Sequence, residues 1–180
     1  VHLSIGSGPP ENLFKLDEAG FALIILENAR KTLSAGFTTV RDLGSLSDAI
    51  FVVRDAINAG RFDGPRILAA GRLMSVTGGH GDMAGYPEDI LKLFHSSGIC
   101  DGPYECRKAV RTQIRDGANV IKIATSRGGN DPRGAAAPPE MMPDEIAAIV
   151  ATAHAAGLKV AAHAHSTASI DAALTGGVDS

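Results

Sequence analysis

Four short apolar runs punctuate the chain, at Phe37–Asp42, Arg66–Gly71, Asn119–Ala124 and Leu158–His163. Each has the length of a strand and is rich in β-branched or small residues. The segments between them read differently. From Phe21 to Ala35 the apolar positions recur at helical spacing, and helical patterns also fit Ser47–Ala59, Pro103–Asp116 and Pro143–Ala156. A glycine follows each of these helices (Gly36, Gly60, Gly117, Gly157), and a strand comes next. Glycine ends a helix readily because it tolerates the left-handed backbone of the closing turn.

Strands alternating with helices imply parallel pairing with right-handed crossovers, in a doubly wound sheet or a closed barrel. A dinucleotide-binding sheet needs a glycine-rich turn that opens a helix directly after its first strand. The nearest candidate, Gly6-Ser7-Gly8-Pro9-Pro10, has prolines where that helix should begin. The polar residues instead collect after the strands, at the end where barrel active sites lie. The fold class is therefore α/β, a partial (β/α)8 TIM barrel. Val1-His2-Leu3 reads as the tail of strand 1 and Gly177–Ser180 as the start of strand 6. A whole barrel needs about 250 residues. Residues 1–180 are thus expected to form a single, incomplete barrel domain, inactive by itself.

Composition narrows the partners. The 180 residues are 44% hydrophobic and carry a formal charge of −3, which suits a globular α/β core. With mild acidity and no evident basic stripe, no nucleic-acid partner is expected. No apolar run reaches the roughly 20 residues of a membrane span, so no membrane partner is expected either. Cys100 and Cys106 match no zinc or redox spacing, and reduced thiols in a cytoplasmic protein are the expectation. The oligomeric state is open, a homo-oligomeric parent included.

Lys122 is the first residue that demands chemistry. It sits mid-strand, with Val120 and Ala124 on its own face and Ile121 and Ile123 on the other. An unpaired ammonium there costs several kcal/mol or is forced to neutralise. It needs an ion-pair partner, a Schiff-base role, or conversion by CO2 to a carbamate that can bridge metals. His163 and His165 lie at positions i and i+2 of a strand end, so both rings enter one space, either as metal ligands or as hydrogen-bonded loop-edge residues. His80 stands among glycines in Thr77–Asp82, aimed inward or incidental to a flexible loop. His2 alone is ambiguous. Asp42 reads as an acid supporting the site or as a helix cap. His154 reads as structural, in the last turn of a helix where the dipole favours it. His95 reads as a surface residue, and Arg127 and Arg133 as solvated or as partners of a substrate carboxylate.

These pieces, in order, resemble the amidohydrolase superfamily, and within it the imidazolonepropionase-related and Xaa-Pro dipeptidase (prolidase-like) group. The matching stretches are Gly36–Gly44, Gly78–Asp82, Asp101–Pro103, Gly117–Ile123 and Ala153–Ser166. The resemblance implies that Val1-His2-Leu3 is an H-x-H-L motif without its first histidine. It implies metal ligation by His2, Lys122 (carboxylated) and His163. The cofactor it implies is Zn2+, as one or two divalent ions. His80 and His165 are the implied catalytic residues, orienting substrate or stabilising an oxyanion, with His163 and His165 able to exchange roles. A sixth-strand ligand and an eighth-strand Asp would lie beyond Ser180. The loop after Lys122 departs from the family's Ser-Gly-Gly, reading Thr125-Ser126-Arg127-Gly128-Gly129. The implied activity is hydrolysis of a C–N bond by a metal-bound hydroxide, on a small amide, dipeptide (Xaa-Pro included) or cyclic amide. The alternatives are a lactonase or phosphotriesterase on the same site and a non-catalytic truncated barrel.

Overall fold

Asp17 starts the first helix, its carboxylate accepting the Gly20 N–H at 2.8 Å. Helix α1 runs Glu18–Ser34, followed by β1 (Thr39–Asp42), α2 (Ala49–Asn58) and β2 (Arg66–Ala69). Then come α3 (Gly102–Asp116), β3 (Val120–Ala124), α4 (Pro143–Ala155), β4 (Lys159–His163) and α5 (Thr167–Thr175). The computed structural model describes residues 1–5, 12, 15–82, 89, 98–128 and 138–180. Gly6–Pro10, His95 and Arg133 lie outside the described residues.

All pairing is parallel. β1 runs beside β2 from Thr39↔Arg66 to Asp42↔Ala69, and β3 beside β4 from Val120↔Lys159 to Ala124↔His163. Backbone bonds join the two pairs: Asn119 N–H to the Ala69 carbonyl (2.8 Å), Met74 N–H to Lys122 (2.8 Å) and Ala124 N–H to Met74 (2.9 Å). On the outer edges, Leu43 N–H bonds Val1 (3.0 Å) and Ala162 N–H bonds Ser180 (2.7 Å). Each strand thus lies beside its sequence neighbours, the mixed α/β order of alternating units. No closed barrel forms among the described residues.

The two faces of the strands differ. Ile121, Ile123 and Val160 join Ile25, Ile50, Val110, Ile146 and Ile149 in one large buried core on the helix side. The opposite face holds a small separate cluster of Ala70, Val120 and Ala161, with Leu43 against it. Period-two alternation puts Lys122 on that second face, as its neighbours in the sequence predict.

The structure adds one helix and corrects two expectations. Helix α5 was not apparent from the pattern: its buried positions are only Ser169 and Ala173, so it shows no apolar period. Its start is legible afterwards in Ser166, whose hydroxyl accepts the Ser169 N–H at 3.2 Å. Second, Cys100 and Cys106 are not reduced thiols. They form a disulfide, with Cα atoms 5.0 Å apart and both residues buried. Gly102 (φ +78) turns the chain so that the first turns of α3 come back onto Cys100. The compartment argument for a cytoplasmic protein thereby loses its support. Third, a basic face exists: Arg107, Lys108, Arg111 and Arg115 line one shallow cavity on α3 with Tyr104 and Thr112. The chain's net acidity hid it. No helix among the described residues is long and apolar enough to cross a membrane.

Candidate metal centre

Every residue of β3 is buried, and Lys122 retains 9% of its exposure. Its register partner is Ala161, too small to hide the amine and unable to pair with it. Burial, and then the positive charge of Arg41, push the Lys122 amine below the usual lysine range. Among the described residues no carboxylate forms an ion pair with it. The structural ion pair that the sequence left open is therefore not made among the described residues.

His163 follows Ala161 by two positions on β4 and shares its face. Its Nε2 is buried without a hydrogen-bond partner. Burial, then His80, His165 and Lys122, lower its pKa to about 4, while a bond with the Arg127 backbone works the other way. The ring is neutral at physiological pH and its lone pair is available. His80 stacks on it with centroids 4.2 Å apart and planes 17° apart. His165 meets it edge-on at 4.5 Å, with its own backbone N–H donated to the Ser126 hydroxyl at 2.9 Å. The structure thus brings together His80, His163 and His165, with Lys122 close enough to act on His163 electrostatically.

His2 does not join this ring cluster. Its Nδ1 lies 2.8 Å from the Gly44 carbonyl. A carbonyl only accepts, so Nδ1 carries the proton and Nε2 keeps its lone pair. Asp42 is no helix cap, since α2 begins only at Ala49. Its Oδ2 accepts the Leu3 N–H at 2.6 Å, pinning the segment that carries His2, while its Oδ1 is buried without a partner. Burial raises its pKa against the pull of the Leu3 N–H and of His2.

Other expectations resolve plainly. His154 pairs with Asp179 at 2.8 Å, a structural role at the opposite end of the strands. Arg127 donates to the Gly78 carbonyl at 3.0 Å and so braces the His80 loop. Glu140 went unnoticed in the sequence: its carboxylate accepts the His80 N–H. Its loop position carried no periodic signal.

Among the described residues no three His, Cys, Asp or Glu side chains converge on one point. The donors that are present nevertheless suit a divalent metal. His2 has one nitrogen committed to a backbone carbonyl and the other free to ligate, the usual support for a metal-bound imidazole. His163 has an orphaned Nε2, and Lys122 is a buried amine with no counter-charge among the described residues.

The chain belongs to the amidohydrolase family, whose model matches residues 1–179. Among curated relatives it is 34% identical over 167 residues to the ochratoxinase of Aspergillus niger, covering 83% of this chain and 33% of that protein. The chain therefore spans about a third of the length of the curated relative it matches. Among solved structures it superposes on a Xaa-Pro dipeptidase with methionine bound in its active site (TM-score 0.83, 34% identity, 99% of this chain and 43% of that one). A prolidase complexed with N-methylphosphonate-L-proline fits similarly (TM-score 0.82, 33% identity, 99% and 44%).

Proposed function

We propose that this chain is part of a metal-dependent (β/α)8-barrel hydrolase that cleaves a C–N bond of an amide or dipeptide. One observation carries the reading: a buried Lys122 with no ion-pair partner among the described residues, on the same face of adjacent strands as His163 with its orphaned Nε2. The relatives support the substrate class, because a Xaa-Pro dipeptidase and a prolidase act on peptide-like bonds. His2 Nε2, His163 Nε2 and Lys122 would hold the metal. The depressed pKa of Lys122 enriches its neutral amine, the form that adds to CO2. A carbon–nitrogen bond forms, a proton leaves, and the product is an anionic carbamate able to ligate. A divalent ion bound there supplies a Lewis acid for the carbonyl and a nucleophile at neutral pH. His80 and His165, both exposed at the mouth of the site, would orient the substrate and donate to the charge that develops on its carbonyl oxygen.

The test uses the full-length protein, with Xaa-Pro dipeptides and N-acyl amino acids as substrates. Hydrolysis should vanish when the metal is chelated and return with Zn2+. Failure to cleave either substrate class, or full activity after stripping the metal, would overturn the proposal.

A further inference from the structure

The glycine-rich loop that carries His80 is held from outside. The Glu140 carboxylate accepts the His80 N–H through both oxygens, at 3.1 and 3.0 Å, and accepts the Ser75 hydroxyl at 2.9 Å. Its own backbone N–H is tied to the Thr125 carbonyl, one residue past the end of β3, at 3.0 Å. Glu140 therefore joins the strand of Lys122 to the loop of His80. Gly79 leaves room for this contact: a Cβ there would lie 2.9 Å from Glu140 Oε1 and 2.4 Å from Ser75 Oγ. The ring is placed separately. A Cβ on Gly128 would lie 2.3 Å from His80 Cε1 and 2.5 Å from its Nδ1, so only glycine admits the ring where it stacks on His163.

We infer that Glu140 and Gly128 are the positioning residues of His80: the carboxylate fixes its backbone, and the missing side chain fixes its ring over His163. The loop is thus set by the β3 end and not by its own glycines, which would leave it many conformations. The inference uses the hydrolase proposal only for what His80 does, not for where it sits.

The experiment follows His80 itself. The full-length protein is treated with diethyl pyrocarbonate and the modified histidines are read by peptide mapping, with His154 as internal reference. Glu140→Ala should raise the His80 modification rate at least about threefold, as expected for local loop opening, and leave His154 unchanged. Glu140→Gln keeps an acceptor oxygen and should restore the native rate. Gly128→Ala should change the His80 rate with Glu140 intact, because the ring must leave its place. Equal His80 rates in the native, Glu140→Ala and Gly128→Ala proteins would overturn the inference, as would a Glu140→Gln protein that behaves like Glu140→Ala. A general loss of fold would raise His154 as well and would count against a local positioning role. Absence of metal or of amide hydrolysis in the native protein would defeat the hydrolase proposal while leaving this readout intact.

Discussion

The molecule has two histidine-bearing clusters, at opposite ends of the same strands, and they are built on opposite rules. At the C-terminal ends, His163 lies among His80, His165 and Lys122, with an orphaned nitrogen and, among the described residues, no ion pair to His163 or Lys122. At the N-terminal end of β4, His154 and Lys159 both bond Asp179, at 2.8 and 2.7 Å, and the Val160 N–H joins them at 2.8 Å. There every charge is answered. In the first cluster the buried Lys122 amine and the His163 ring have no ion-pair partner among the described residues, which costs stability unless a ligand arrives. On the proposed function, the contrast separates groups kept for chemistry from groups kept for the fold, although both use the same residue types.

Substitution should separate the two clusters most sharply at the lysines. Lys122→Met in the full-length protein is expected to lower both metal content and amide hydrolysis at least about a hundredfold. With both proteins free of metal, it should hold or raise the unfolding temperature, because a desolvated amine is replaced by an apolar chain of similar length. Retained metal after this change would erase the distinction. The histidines come next. His163→Ala should reduce metal affinity by about tenfold or more with little loss of stability, as metal titration would show. His154→Ala should do the reverse, costing about 0.2–1 kcal/mol in urea unfolding with metal affinity unchanged.

The smallest effect is in acid. The bonds to Lys159, then His154 and the Val160 N–H, hold the Asp179 carboxyl well below the usual carboxylate range. The folded state then binds fewer protons than the unfolded state in acid, so stability rises with pH there. Its contribution is complete above about pH 4, the unfolded value, and drains away as the pH falls toward the folded one. Asp179→Asn should flatten that acid limb of the stability curve and leave neutral-pH metal binding alone. High salt should shrink the difference, since the pair is near the surface. An unchanged acid limb in Asp179→Asn would show that the second cluster is ornamental to the fold.

Much of this contrast could be read before any coordinates. Alternating apolar runs with glycine-stopped helices define the strand order, and period-two alternation alone puts Lys122 opposite Ile121 and Ile123. The H-x-H spacing of His163 and His165 predicted rings in one space, and the structure has them in edge contact. What stayed hidden depends on long-range approach. Glu140 reaches His80 across 60 positions of sequence, and no local pattern marks such a partner. The Cys100–Cys106 bond needed the turn at Gly102 to be known. Helix α5 hides because its buried side is made of Ser169 and Ala173, which no hydropathy period distinguishes from a loop. The basic face of α3 is spread through a helix that also carries Glu105 and Asp116, so net charge averages it away.

The neighbour-by-neighbour order of the strands has a consequence for how the chain acquires its shape. β1 meets β2 and β3 meets β4 across separations of no more than about 40 residues, so loop-closure entropy is charged in small instalments. As the chain emerges from a ribosome, each new strand finds its template already in place, and the sheet can extend in the direction of synthesis. Lys122, on β3, is therefore laid down before β4 pairs with that strand.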